Sequence, residues 1–117
     1  MKFNWITLHV KDLDRSAAFY GDYLGMKLAR EFTQPGGRHF KFYEAANGMQ
    51  VELIGGGGET VSASNLSLGV AVSDYDALLA KAREEGFISG EPRILGGHLE
   101  CFFALDPDGV QIQIARG

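Results

Sequence analysis

Apolar and polar positions alternate along several short segments of the chain. Residues 3–10 place Ile6, Leu8 and Val10 on one face, and residues 66–72 repeat this arrangement. A period of two is typical of a half-buried β-strand, because successive side chains of a strand point to opposite faces. After each of these segments the apolar residues fall at helical spacing instead. The pattern therefore predicts a strand followed by an amphipathic helix, twice along the chain.

The two predicted helices carry start and stop signals. Asp12 and Asp74 are suitable N-cap residues, because their carboxylates can accept hydrogen bonds from the free backbone N–H groups of the first turn. Gly25 and Gly86 supply the left-handed conformation in which many helices end. Between these limits each helix has one apolar stripe to bury: Leu13, Ala17, Tyr20 and Leu24 in the first, and Tyr75, Leu78, Leu79 and Ala82 in the second.

After each helix the pattern returns to a period of two. Two such segments flank Asn47-Gly48 in the first half, and two more flank Asp106-Pro107-Asp108-Gly109 in the second half. Both turn sequences are typical of β-hairpins. A further strand is predicted near residues 27–32, with a weaker counterpart near residues 92–95.

The chain repeats itself. Val10-Lys11-Asp12-Leu13-Asp14 recurs as Val72-Ser73-Asp74-Tyr75-Asp76, and the segment 47–53 recurs as 108–114 with the same alternation. We predict an α+β fold in which one domain, residues 1–117, consists of two strand-helix-three-strand (βαβββ) modules. Module 1–54 is joined to module 65–117 by the Gly/Ser-rich residues 55–64, which are either a linker or a flap at the mouth of a cavity.

Composition and charge exclude several classes of protein. With 117 residues, 45% of them hydrophobic and 22% charged, the chain has the composition of an ordinary globular domain. A formal net charge of −4 argues against nucleic acid as a partner. No segment is long and apolar enough for a membrane span, so no membrane partner and a cytoplasmic location are expected. The single cysteine, Cys101, is predicted to be a small buried residue on the apolar side of its strand.

The repeated segments carry a family resemblance that covers nearly the whole chain. LHVKDLDRSAAFYGDYLGMKL followed by NGMQVELI, and VAVSDYDALLAKAREEG followed by FFALDPDGVQIQIA, resemble the vicinal oxygen chelate superfamily. That group includes glyoxalase I, extradiol dioxygenases, fosfomycin resistance enzymes and bleomycin-binding resistance proteins. The resemblance implies that the two modules curl their mixed sheets into a cup with the helices outside and a ligand inside. It also implies a homodimer.

The residues expected to line the cup follow from alternation. If the apolar side of each strand faces the helices, the other side lines the cavity. Its aromatic residues would stack on a ligand, and its polar residues would orient it. The alternative is that Trp5 and Phe102 fill the cup as core. The predicted ligand-binding residues are Trp5, Thr7, His9, Tyr43, Gln50, Glu52, Ser67, His98, Glu100, Phe102 and Gln113.

The resemblance also implies where a metal would be held. The ligand positions of the metal-dependent members correspond to Trp5, Glu52, Ser67 and Gln113, of which only Glu52 is a good ligand and Gln113 a weak one. A catalytic divalent metal generally needs about three protein ligands. We therefore predict no metal and no other cofactor, with Glu52 as the one surviving ligand position.

A metal site built from other residues is also disfavoured. His9, Glu52, His98 and Glu100 share the predicted cavity side, but His9 lies about 13 Å beyond Trp5 along its strand. His98 directly follows Gly96-Gly97, where the chain is either loop or strand. A surface or hydrogen-bonding role is favoured for each histidine, and more strongly for His39.

Three hypotheses for the function remain open. The first is a metal-independent protein that binds an aromatic or amphipathic small molecule without a reaction. The second is a metal-free enzyme in which Glu52 is the general base and His9 or Tyr43 the general acid. The third is a metal-dependent isomerase, lyase or dioxygenase holding a divalent metal. The sequence leaves open whether the protein is an enzyme.

Overall fold

The computed structural model describes residues 1–58 and 65–117. The chain divides into two compact units, Met1–Ser62 and Ala63–Gly117. Each unit contains one four-stranded mixed sheet, with its helical segment between the first and second strands. The prediction of an α+β fold made of two strand-helix-three-strand modules is confirmed. The linker or flap predicted at 55–64 lies largely outside the described residues, although Gly55 ends a strand.

The first unit has the element order expected from the repeat. Its elements are β1 (Trp5–His9), α1 (Leu13–Ala17) with a π-helical continuation (Ala18–Tyr23), β2 (Lys27–Thr33), β3 (His39–Glu44) and β4 (Gln50–Gly55). In the sheet the strands follow the order β1-β4-β3-β2. The pair β1/β4 is parallel and the other two pairs are antiparallel. Glu52 therefore lies on an inner strand.

The second unit repeats this plan. Its elements are β5 (Ser67–Val72), α2 (Tyr75–Glu85), β6 (Arg93–Leu95), β7 (Leu99–Leu105) and β8 (Gln111–Arg116). The sheet order is β5-β8-β7-β6, with β5 and β8 parallel. Strand β8, which carries Gln113, is thus the counterpart of β4.

The helix termini follow the predicted signals, with one difference. The Asp12 carboxylate accepts a hydrogen bond from the backbone N–H of Arg15 at 3.1 Å, as an N-cap should. Asp74 also occupies the N-cap position, but its side chain makes no capping hydrogen bond. Gly86 ends α2 in the left-handed conformation with φ +78°. Within the described ranges, no helix has the length and apolar character needed to cross a membrane.

The first helical segment departs from the predicted apolar stripe. Beyond Ala17 it widens into a π-helix, in which the Leu24 N–H bonds to the Phe19 carbonyl at 2.9 Å, five residues back. A wider turn rotates the later side chains relative to a 3.6-residue repeat. As a result Phe19 and Tyr23 are buried, whereas the predicted Leu24 is only half-buried.

Both hairpin turns are three-residue connections. The Ala45 N–H bonds to the Met49 carbonyl at 2.8 Å in the first unit, and the Asp106 N–H bonds to the Val110 carbonyl at 2.9 Å in the second. Each connection places a glycine at positive φ, where a side chain would be strained: Gly48 at +88° and Gly109 at +85°. The length of these turns fixes which side chains of β3 and β7 share a face with Glu52 and Gln113.

Candidate functional site

Glu52 lies near the middle of β4, between Thr7 on β1 and Phe42 on β3. Its side chain and that of Thr7 are both half-buried. The Thr7 hydroxyl donates a hydrogen bond of 2.6 Å to Glu52 Oε1. This length is typical of a hydroxyl bonded to a carboxylate. One carboxylate oxygen is therefore held by the sheet itself, and Oε2 has no hydrogen bond within the described residues.

Strand pairing defines the face of the first sheet to which Glu52 belongs. Directly paired residues of neighbouring strands project to the same side. We call this side the Glu52 face, and it consists of Trp5, Thr7, His9, Lys27, Arg30, Phe32, Phe40, Phe42, Glu44, Gln50, Glu52 and Ile54. Its members are in contact, since the Gln50 amide donates to Glu44 Oε1 at 2.9 Å.

Three phenylalanines form a stack at one side of the Glu52 face. The ring of Phe32 is stacked on that of Phe40, with 4.6 Å between their centroids, and lies 6.4 Å from that of Phe42. The guanidinium of Arg30 lies 5.3 Å from the Phe32 ring centroid and 5.2 Å from that of Phe42. These are cation–π distances. The Glu52 face thus carries a packed group of phenylalanine rings, of which Phe40 and Phe42 are buried, with a cation above it.

The second sheet has an equivalent side, which we call the Gln113 face. It consists of Ser67, Gly69, Ala71, Arg93, Leu95, Leu99, Cys101, Phe103, Leu105, Gln111, Gln113 and Ala115. Phe103 pairs directly with Gln113, and Arg93 lies 5.6 Å from the Phe103 ring centroid. In both units, therefore, an arginine lies over a phenylalanine, and that phenylalanine is paired with Glu52 in the first unit and with Gln113 in the second.

The two faces differ in the residue that is paired with Glu52 and with its counterpart Gln113. Thr7 supports the carboxylate in the first unit, but its counterpart beside Gln113 is Gly69, which has no side chain. The Gln113 amide instead points to the buried Cys101, with 3.6 Å between Nε2 and Sγ. Cys101 is buried as predicted, but it lies on the Gln113 face rather than on the helix side.

Seven of the predicted site residues lie where alternation placed them. Trp5, Thr7, His9, Gln50 and Glu52 share the Glu52 face, and Ser67 and Gln113 share the Gln113 face. The Trp5 side chain is 53% exposed. The alternative in which Trp5 fills a core does not hold, and its indole is available to stack on a ligand.

The face predicted for Tyr43 is wrong. Tyr43 pairs with Val51 and is buried on the opposite side of the sheet from Glu52. It packs so closely against Gly21 of the helical segment that a Cβ there would lie 2.8 Å from its Cε1 atom. Burial, with smaller contributions from Asp22 and Glu31, raises the pKa of its hydroxyl. Tyr43 is therefore unsuited to act as the acid partner of Glu52.

The face predicted for Phe102 is also wrong. Phe102 pairs with Ile114, is 0% exposed, and meets the ring of Tyr75 edge-on at 5.4 Å between centroids. Tyr75 begins α2, so this contact is part of the helix-facing core of the second unit. Phe102 is a core residue, but of the helix side of the sheet and not of the cup, as the alternative had it.

Glu100 likewise faces α2 rather than the Gln113 face. Arg116 Nε donates to Glu100 Oε1 at 2.8 Å, and its Nη2 donates to Asp76 Oδ1 at 2.9 Å. The hydrogen bond from Arg116 lowers the pKa of each carboxyl group. The carboxylates reciprocally raise the pKa of the guanidinium. Glu100 is therefore engaged in an ionic cluster that joins the sheet to its helix.

This cluster predicts how acid affects stability. A carboxyl group whose pKa is lower in the folded state contributes stability above its ordinary pKa and loses it as pH falls through the folded value. The ordinary values here are 3.8 for Asp76 and 4.5 for Glu100. We expect the free energy of unfolding of Arg116→Gln to fall less steeply than that of the wild type as pH drops below these values. Urea unfolding at a series of pH values measures this, and parallel curves for the two proteins would contradict it.

His98 lies in the turn between β6 and β7. It is exposed, and its Nδ1 lies 2.9 Å from the Gly96 carbonyl oxygen. The sequence is compatible with either a loop or a strand at this residue, and the structure shows a loop. A residue held in this tight glycine turn is not part of the Gln113 face.

The side chains present do not fit a metal of the kind the resemblance implies. Within the ranges 1–58 and 65–117, no group of three His, Cys, Asp or Glu side chains is arranged to hold a metal ion. The residues paired with Glu52 are Thr7, which offers a hydroxyl, and Phe42, which offers no ligand atom, and Trp5 at the first-strand ligand position coordinates no metal.

A separate depression lies at the start of α1. It has a volume of about 350 Å³ and is wide open to solvent. It contains none of the predicted site residues. Its lining residues are Lys11, Asp12, Leu13, Asp14, Gly37, His39, Gly55 and Gly56.

Sequence reasoning missed the aromatic and basic residues beside Glu52. Phe42 and Arg30 were absent from the predicted set, as were their counterparts Phe103 and Arg93. A signal for the two phenylalanines existed, because the repeat that aligns Glu52 with Gln113 also aligns Phe42 with Phe103. The arginines gave no such signal, since they occupy different places in the two repeats.

Comparison with known proteins agrees with this architecture. The family model described as the Glyoxalase/Bleomycin resistance protein/Dioxygenase superfamily matches residues 2–114. A structure of glyoxalase I from Zea mays is 26% identical with a TM-score of 0.84, covering 99% of this chain and 44% of its own. The chain thus spans less than half of the maize protein. No protein with a curated description matches significantly in sequence.

Two other solved structures resemble the chain over most of their own length. The first is the glyoxalase I of Leishmania major, described as trypanothione-dependent. It is 26% identical with a TM-score of 0.78, and the match covers 99% of this chain and 86% of that one. The second is a glyoxalase family protein from Enterococcus faecalis, at 17% identity and a TM-score of 0.76 with 98% and 97% covered. At that identity the second likeness concerns the fold alone.

Proposed function

The chain belongs to the Glyoxalase/Bleomycin resistance protein/Dioxygenase superfamily, and we propose that it acts there as a metal-independent protein that binds an aromatic or amphipathic small molecule. The Glu52 face is the proposed binding surface. The observation that carries the proposal is the hydrogen bond from Thr7 to Glu52, at a place where the side chains do not form a metal site.

The composition of the Glu52 face supports this role. Ligand sites combine apolar and aromatic surface with a few fixed polar groups. Here the polar group is the carboxylate of Glu52, which Thr7 orients, so that Oε2 is available to accept a hydrogen bond from a ligand. The apolar part consists mainly of the exposed indole of Trp5, while Phe42, paired with Glu52, is only 9% exposed.

A metal-free enzyme is the second candidate. A carboxylate held in one orientation and half-buried can also take a proton from a bound substrate. His9 shares the Glu52 face and is the candidate for the acid partner, whereas Tyr43 lies on the other side of the sheet. A homodimer and a cytoplasmic location remain predictions from the sequence.

The central test measures ligand-induced thermal stabilisation with wild type and Glu52→Gln. Ligand bound only by the folded state stabilises it by about 2.7 kcal/mol at a concentration of 100 Kd. A panel of small aromatic alcohols, amines and acids should therefore raise the Tm of the wild type by several degrees. We expect Glu52→Gln to bind the best ligand about tenfold more weakly, because a hydrogen bond to a charged acceptor is lost.

Glu31→Gln is the matched control. It removes the same charge from the same sheet, but Glu31 pairs with Lys41 on the opposite side from Glu52. Its affinity for the same ligand should equal that of the wild type. Turnover that disappears in Glu52→Gln while binding remains would favour the enzyme. A near-stoichiometric divalent metal that is lost on Glu52→Ala, or no stabilisation by any compound, would contradict the proposal.

A further inference from the structure

We infer that Arg30 is an anion-binding residue of the Glu52 face, and that the ligand is a planar aromatic compound with an anionic group at one end and a hydrogen-bond donor at the other. The inference rests on the proposed function and specifies the chemistry of its ligand. It comes from one row of side chains that crosses the whole first sheet.

The row consists of Thr7, Glu52, Phe42 and Arg30. Each is the direct partner of the next, one on each of the strands β1, β4, β3 and β2. Neighbouring strands lie about 4.8 Å apart, so the row extends about 14 Å. Along it lie a carboxylate, a phenyl ring that is only 9% exposed and a guanidinium in sequence. A ligand lying along this row would meet an acceptor, the small exposed part of this ring and a cation in that order.

Arg30 differs from other arginines of the chain in how its charge is used. Arg116 is bound by two carboxylates, and Arg83 Nη2 lies 3.6 Å from Glu91. Arg30 is exposed, and no carboxylate within the described residues pairs with it. Its contacts are the faces of Phe32 and Phe42. Its hydrogen-bond donors therefore remain available to an incoming anion.

The phenyl rings below Arg30 favour this use. A guanidinium lying on an aromatic face is held in a restricted set of orientations, which lowers the entropy lost when it forms paired hydrogen bonds to a carboxylate. The edge of the guanidinium stays free because its donors lie in the plane of the group. The arrangement of Arg30 over Phe42 is thus suited to binding a planar anion beside an aromatic ring.

The charge of the whole protein works against this ligand. A formal net charge of −4 repels anions at long range. Selective binding of an anion must therefore come from a local cation, and Arg30 supplies it beside the proposed anchor Glu52. The two ends of the row then select opposite groups: a hydroxyl or amine at Glu52 and an anion at Arg30.

The test uses 4-hydroxycinnamate and its uncharged methyl ester as matched probes. Isothermal titration at low ionic strength measures the Kd of both for wild type, Arg30→Gln and Arg30→Lys. We expect the wild type to bind the carboxylate more tightly than the ester. Arg30→Gln should bind the carboxylate at least about tenfold more weakly with little change for the ester, because a charge-assisted pair is lost. Arg30→Lys should recover part of the loss.

Arg83→Gln is the control for net charge, because Arg83 lies on α2 in the second unit. It should leave the affinity for the carboxylate unchanged. Equal loss in Arg83→Gln and Arg30→Gln would overturn the inference, as would equal affinity of the wild type for both probes or no binding of the carboxylate. In these cases the proposed function would still be supported if the protein binds uncharged aromatic compounds and if Glu52→Gln weakens that binding. Thermal unfolding of each variant verifies that the exposed substitution leaves the fold intact.

Discussion

Replacing Phe102 by alanine is expected to destabilise the protein by about 3–5 kcal/mol, the usual cost of removing a fully buried phenylalanine. Phe102 is 0% exposed, and its ring meets Tyr75 edge-on at the start of α2. Alanine would leave a cavity between sheet and helix, because close-packed side chains relax only partly into a void. Urea unfolding followed by circular dichroism measures the loss, which should appear as a lower midpoint.

Phe103→Ala is the matched control for this prediction. It removes the same side chain from the next residue of β7, but Phe103 lies on the Gln113 face and is only half-buried. Its loss should be about 1–2 kcal/mol, in proportion to the smaller apolar area covered. If the two variants were equally destabilised, the assignment of Phe102 to the helix side of the sheet would be wrong.

These adjacent phenylalanines also show where sequence reasoning reached its limit. Alternation predicts a face only when one side of a strand is apolar and the other polar. Strand β7 reads CFFAL at residues 101–105, an apolar run without alternation, as in strands covered on both sides. The face of Phe102 therefore had to be assumed. The structure places it opposite to the assumption, and Glu100 and Cys101 change sides with it.

The faces of the β3 side chains were predicted wrongly for a related reason. Its more regular apolar residues, Phe40 and Phe42, were assumed to face the helix, but pairing places them beside Ile54 and Glu52. The three-residue turn between Ala45 and Met49 fixes this register. A change of one residue in register moves every side chain to the other face. Tyr43 was consequently predicted on the wrong side of the sheet.

The parts that could be predicted are those with local chemical signals. Asp12 and Gly86 marked helix ends, and the repeated strand patterns gave the module plan. The residues that β1 and β4 contribute to the Glu52 face were also predicted, because Ile6, Leu8, Val51 and Leu53 alternate with residues that, apart from Ile54, are polar or aromatic. Arg30 could not be found in this way, because its position over Phe42 depends on the register between β2 and β3, which shifts at an irregularity between Leu28 and Arg30.

The second large effect is expected at Asp106, the first residue of the DPDG turn. Its carboxylate is 4% exposed, and Oδ1 accepts hydrogen bonds from the backbone N–H groups of Asp108 at 2.9 Å and Val110 at 2.8 Å. Asp106→Ala would leave these donors without that acceptor, and Val110 is itself 1% exposed. A buried donor without a partner costs about 1–3 kcal/mol. We therefore expect a loss of about 2–4 kcal/mol in urea unfolding.

The first unit provides the control, because its equivalent turn forms without this carboxylate. Ala45 occupies the place of Asp106, and there Asn47 Oδ1 accepts a single bond of 3.2 Å from the Met49 N–H at an exposed position. Asn47→Ala should cost less than about 1 kcal/mol, since water can replace the lost acceptor. Equal losses for the two variants would show that turn formation, rather than burial of the donors, determines the cost. If only Asp106→Ala loses this stability, the loss comes from the buried donor, the Val110 N–H, that Asp106 satisfies. This hydrogen bond lies at the turn of the hairpin whose second strand carries Gln113.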